Sequence, residues 1–174
     1  MMNPMSNLIR FYRLLLPFEN LKITTSLTFS KVLQKLDEVV DTPKLFRIVL
    51  LFGSPPPKPY EGTIYGKTFK ISRIISGRNS FLPFIEGEIY PQPFGCHINI
   101  NMSLHKIVLI FMIFWLWTTG SIGIFALFAW LAEPSVGPIF IPLLGMFIFG
   151  LLLCIIPFKI EAKIATKFLL TLFN

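Results

Sequence analysis

Charge is absent from two long stretches of this sequence. No Asp, Glu, Lys or Arg stands between Lys106 and Glu133, and none between Glu133 and Lys159. Each stretch exceeds the ~20 residues a helix needs to cross a bilayer. An ordinary soluble composition is excluded there, and a helical hairpin in a membrane is the expectation. Cysteine is scarce as well: Cys96 precedes the first stretch and Cys154 lies in the second, so no disulfide framework exists. The first 30 residues do not read as a signal peptide, because Pro17, Glu19 and Asn20 cut off the short run Leu14-Leu15-Leu16.

The motifs that carry chemistry are also missing. There is no phosphate-binding glycine loop, no HExxH and no GxSxG. The two histidines, His97 and His105, lack the Cys/His/acid spacing of a metal site. Cys96 and His97 are adjacent on an alternating segment and point to opposite faces. Glu86 and Glu88 share one strand face and read as solvated surface. No cofactor is called for, and the basic residues are too scattered for a nucleic-acid module.

What is present divides the chain into five parts. Seven of the nine acids and twelve of the sixteen Lys/Arg precede His105. Residues 1–53 read as an N-terminal helical region. Ile9, Tyr12 and Leu16 recur at helical spacing in its first part. Over Ser26–Val40 an apolar stripe of Phe29, Val32, Leu33, Leu36 and Val40 marks an amphipathic helix capped by Thr28 or Ser26. Leu45 to Phe52 is a short apolar run that periodicity leaves open between strand and helix. Residues 54–59 are a proline-rich spacer.

Residues 60–105 alternate as strands do. Four antiparallel strands are expected, at Tyr60–Tyr65, Thr68–Ile75, Phe81–Tyr90 and Cys96–Met102. One face of such a sheet is buried, and the Ser26–Val40 helix is its natural cover. The fold class is therefore an α+β membrane protein. The spans cover about 107–132 and 138–158, with Ser103 as the cap of the first. Residues 159–174 form a basic amphipathic tail.

Within the hairpin, small residues cluster. Thr119, Gly120 and Gly123 of the first span are expected to face Gly145 and Gly150 of the second, because only small side chains let backbones approach closely in lipid. Another subunit is the alternative occupant of that face. Pro138 and Pro142 suit a helix start, and Pro157 should bend the helix as it leaves the membrane. Neither span contains a charged residue, which argues against a self-contained transporter.

Lysine flanks the hairpin on one side only. His105-Lys106 precedes it, Lys159, Lys163 and Lys167 follow it, and the turn carries Glu133 alone. The positive-inside rule then puts both termini in the cytoplasm and the turn on the far side of an inner (plasma) membrane. The stripe Lys159, Lys163 and Lys167 either contacts anionic head groups or merely anchors the helix end. Lys70, Arg73 and Arg78 either meet head groups too or lie on the wet face of the sheet.

The run Phe69 to Gly87 (FKISRIISGRNSFLPFIEG), with Met102–His105, Pro142–Gly150 and Phe158–Glu161, resembles a group of small uncharacterised bacterial membrane proteins with two spans. The resemblance covers roughly residues 60–174. It implies a bacterial-type membrane protein and no mechanism. Three functions are consistent with the sequence: a non-catalytic, membrane-anchored binding module; an accessory subunit of a larger membrane complex; or an enzyme acting on a lipid or quinone. The implied partners are membrane lipid and either another membrane protein or a second copy of the chain.

Overall fold

Strand alternation and helical stripes resolve into one sheet with helices on one face. The computed structural model describes residues 16–43, 58–75 and 79–174. In chain order the elements are β1 (Phe18–Thr25), α1 (Phe29–Val39), β2 (Val40–Asp41), β3 (Tyr60–Tyr65), β4 (Thr68–Arg73), β5 (Phe84–Gln92) and β6 (Gly95–Ser103). Two long helices follow, α2 (Lys106–Ala132) and α3 (Phe140–Phe173), joined through a short 3-10 turn at Pro134–Val136. The fold is α+β.

Among the described residues the sheet has six strands in the order β1-β6-β5-β4-β3-β2, not four. Only the β2–β3 pair is parallel, and it is two residues long. The unexpected long strand is β1, which pairs with all of β6 from Phe18↔Ser103 to Thr25↔Cys96. The N-terminal part is therefore not a separate helical region: its strand and its helix belong to the sheet domain. Of the N-terminal helix expected over Met1 to Phe18, residues 1–15 lie outside the described residues, as do the apolar run 45–52 and most of the proline-rich spacer, and Phe18 itself opens β1. At the spacer's end Lys58 donates to the carbonyls of Asp37 and Val40, capping the C-terminus of α1.

Proline shapes β5. The strand begins after Pro83, and Pro91 sits opposite Cys96. Its missing N–H costs nothing on the other side, because the β4 ladder stops at Thr68↔Glu88.

One face of the sheet is apolar. Ile71, Ile85, Ile89, Ile98, Ile100 and Met102 are fully enclosed there. Helix α1 covers part of it with Val32 and Leu36. The rest is covered by α3, and this corrects the reading of residues 159–174 as a separate tail at the membrane surface. Phe158, Ala162, Ala165, Leu169 and Phe173 form a buried stripe at helical spacing and belong to the domain core. The two alanines let the helix lie close to the strands. Helix α3 continues unbroken past Pro157.

Contacts at its two ends fix the direction of α3. Lys159 donates to the carboxylate of Glu19 at 2.7 Å, and Thr25 donates to the Phe173 carbonyl at 2.7 Å. The second half of α3 thus runs alongside β1 in the same direction, and the strands lie along the helix axis. The end of the sheet holding Phe18, Arg73, Phe84 and Ser103 is next to the hairpin. The turns at Gly66 and at Pro93–Phe94 are at the far tip. Lys35 reinforces this docking by donating to the Leu172 carbonyl at 2.6 Å.

The β6 strand runs to Ser103, and His105, not Ser103, caps α2, its Nδ1 accepting from the Ile107 N–H at 3.4 Å. Both α2 and α3 are long and apolar enough to cross a membrane.

Candidate functional site

The outer face of the sheet, away from α1 and α3, carries the polar members of each strand. Register aligns them into rows. One row is Asn20, Asn101, Glu86, Lys70, and the next is Lys22, Asn99, Glu88, Thr68. Between them lies the row Leu21, Ile100, Gly87, Phe69, whose residues belong to the opposite face. Only backbone remains on the outside there. The result is a channel of about 690 Å³ running across four strands, walled by the two polar rows and floored by main chain. Its width is two residues along a strand, ~6.6 Å, and its length is three strand spacings, ~14 Å.

The walls are balanced in charge. Lys70 pairs with Glu86 at 2.8 Å, both about half exposed. Lys22 and Glu88 stand on the opposite wall. Asn99 faces Asn101 across the channel, and its Oδ1 is enclosed with no hydrogen-bond partner among the described residues. Beyond the second wall, Thr24 Oγ1 and His97 Nδ1 are 3.1 Å apart, and Tyr90 is 42% exposed. The neighbouring Glu88 carboxylate, chiefly through a hydrogen bond, pushes the Tyr90 phenol above its ordinary pKa, and Asn99 opposes the shift.

Of the residues singled out in sequence, Lys70, Glu86 and Glu88 line the channel, and the others fall elsewhere. Arg73 is on the inner face, bound through Nε and Nη2 to Glu161 of α3 at 2.9 and 2.8 Å. Lys159 is engaged by Glu19. Both cations are thus committed within the fold. Lys163 and Lys167 are exposed on α3, and Arg78 lies outside the described residues. A smaller hollow of about 360 Å³ beside Glu19, Lys159 and Lys163 opens at the hairpin end of the domain.

The hairpin glycines meet large side chains of the opposite helix, not one another. A Cβ on Gly120 would be 3.2 Å from the Phe147 ring, on Gly123 2.9 Å from Leu144, and on Gly150 3.1 Å from Trp115. Thr119 is buried and bonds to the Trp115 carbonyl of its own helix at 2.8 Å. Gly145 is outside the contact, with nothing within 4 Å of a Cβ built there. It follows Leu144, and one residue is a ~100° rotation around a helix.

Among the described residues no catalytic constellation forms. His97 and Glu86 are on the outer face, Arg73 is on the inner one, and His105 caps α2. Among the described residues no cluster of His, Cys, Asp or Glu is suited to a metal. Burial raises the Cys96 thiol's pKa, so it is a poor nucleophile. The channel was not legible in the sequence, because its walls come from four strands and only their register brings them together. No family model, curated protein or solved structure matches the chain.

Proposed function

We propose that this protein is a membrane-anchored binding module: α2 and α3 form a transmembrane hairpin, and the hairpin holds the sheet domain at the membrane surface with its polar channel open. The observation that carries this reading is the exposure of the apolar helices. A core helix of a soluble protein hides its apolar surface, whereas the most apolar windows of α2 and α3 are 22% and 11% buried. Phe114, Trp117, Phe125, Phe128 and Phe149 are each more than 60% exposed, a surface that lipid satisfies and water does not.

The length of α3 supports the same reading. Its 34 residues extend ~51 Å, against ~30 Å for the hydrocarbon core. The excess is the half that packs on the sheet. Anchor and domain thus share one helix and move as one body. The domain and both chain ends are cytoplasmic, since Lys106 and Lys159 flank that side and Glu133 alone marks the other. The resemblance to small two-span bacterial proteins agrees with an inner-membrane location.

Carbonate washing and cysteine labelling test the proposal. The protein should stay in the membrane pellet. Ser135→Cys should react with an impermeant maleimide on intact cells, and Tyr65→Cys at the sheet tip only after permeabilisation. Release by carbonate overturns the anchor, and labelling of Tyr65→Cys from outside inverts the topology. Purification in mild detergent addresses function: co-migration with a stoichiometric membrane complex would make the chain an accessory subunit instead.

A further inference from the structure

We infer that the channel across β1, β6, β5 and β4 binds the sugar head group of a neutral glycolipid in the membrane that anchors the domain. This inference rests on the binding-module reading above and adds the class of ligand.

Height is the first argument. Lys159 immediately follows the charge-free run and contacts the Phe18 carbonyl and the Glu19 carboxylate. Phe18 therefore marks the end of the sheet nearest the membrane. The channel walls stand at Asn20 and Lys22 on β1, two and four residues further along, or ~7 and ~13 Å. Strands run along the helix axis, so a channel crossing them runs parallel to the bilayer surface. It lies where a head group of more than one sugar would reach.

Shape is the second. A channel ~6.6 Å wide is too narrow for a helix of ~10–12 Å. Its floor cannot pair with an extended peptide, because the N–H and C=O groups of β6, β5 and β4 already serve ladders on both sides, and those of the edge strand β1 lie in the plane of the sheet and do not point into the channel. Side chains alone do the recognising.

Charge and hydrogen bonding are the third. Two lysines, two glutamates, three asparagines and a threonine line the walls. A phosphate-bearing group would meet Glu86 and Glu88 at the centre, and a polycation would meet Lys22 and Lys70 at the ends. Sugar hydroxyls both donate and accept, so they match carboxylates, ammonium groups and amides alike. The enclosed Asn99 Oδ1 lacks a donor that such a hydroxyl supplies. The exposed Tyr90 ring borders the channel and offers an apolar face to a sugar ring.

Native mass spectrometry of the full-length protein, extracted in a detergent without a sugar head group, tests this. The probes are a diglucosyl diacylglycerol, a phosphatidylglycerol and a phosphatidylcholine of the same acyl chains, and free maltose. The diglucosyl lipid should be retained preferentially. Asn99→Ala should cut its retention about tenfold, the effect of losing one or two hydrogen bonds, and Glu88→Gln should cut it severalfold, with phosphatidylglycerol retention and thermal midpoint unchanged. Equal retention of all three lipids, or diglucosyl retention unaffected by both substitutions, overturns the inference. Maltose binding as tightly as the lipid shows a free sugar to be the ligand and overturns the lipid source. Channel-dependent retention of phosphatidylglycerol instead overturns the sugar class and leaves the binding module standing. Release by carbonate would remove the module and the inference together.

Discussion

Arg73 of β4 and Glu161 of α3 are 88 residues apart in sequence and joined by two hydrogen bonds of 2.9 and 2.8 Å. The pair sits where α3 passes from its apolar half onto the sheet, with side chains 29% and 13% exposed. Removing one partner strands the other in a mostly enclosed site. Arg73→Met or Glu161→Gln should each destabilise the domain by about 3 kcal/mol, allowing for partial exposure. The thermal midpoint in detergent should fall roughly 5–10 °C. The double variant Arg73→Met/Glu161→Leu should recover most of the loss. Equal stability of either single variant and the parent would mean that the pair does not hold the helix to the sheet.

Gly87 owes its place to Phe69. The two are register partners on β5 and β4, and a Cβ on Gly87 would collide with the Phe69 ring. Phe69 is fully buried, so the ring covers the bare backbone and has little room to leave. Gly87→Ala should cost about 2 kcal/mol through overpacking. Adding Phe69→Leu should recover part of it. Denaturant midpoints of the single and double variants would show whether the two residues are coupled.

Much of this architecture was legible. The α1 stripe and the alternation of Cys96–Met102 each carry a strong local period, and the two charge-free runs carry a length that marks a span; each is a strong local signal. What was missed lacks one. In β1 the inward positions Leu21, Ile23 and Thr25 follow the charged Glu19, and the preceding leucines suggested a helix. The docked face of α3 contains Ala162 and Ala165, which are weak hydrophobic signals, while the stronger hydrophobes Ile160 and Ile164 are exposed. Glycine spacing suggested glycine-to-glycine contact, but close packing seats large side chains on glycines just as well. The channel has no linear pattern at all.

Tyr60 gives an alkaline signature. Its side chain is 1% exposed, its ring lies 4.9 Å from that of Phe168, and its hydroxyl has no hydrogen-bond partner among the described residues. Burial above all pushes its pKa from 10.0 up to about 12, with Arg73 pulling the other way and Glu161 adding to the rise. The folded state therefore holds the phenolic proton after the unfolded chain has lost it. Stability from this group is intact below pH 10 and is lost as pH climbs from 10 towards 12, at about 1.4 kcal/mol per pH unit. Tyr60→Phe should remove that loss. It should also gain about 1 kcal/mol at neutral pH, because a buried hydroxyl without a partner is unfavourable. Unfolding curves at pH 8 and at about pH 11, with and without the substitution, measure both effects.

The hairpin separates two glycines that look alike in sequence. Gly123 is buried against Leu144, whereas Gly145 opens to the surroundings. Gly123→Leu must push Leu144 aside and should weaken the hairpin by about 1–3 kcal/mol. Gly150→Leu should act likewise through Trp115, which lies 3.1 Å from the added Cβ. Gly145→Leu has free space and a helical backbone, so it should leave hairpin stability unchanged or raise it by up to about 1 kcal/mol from helix propensity. Thermal unfolding in detergent, followed by Trp fluorescence, compares the three. If Gly145→Leu alone disrupts the protein or its assembly, the open side of α3 is occupied by another subunit, and the exposed face of the hairpin is an interface instead of a lipid surface.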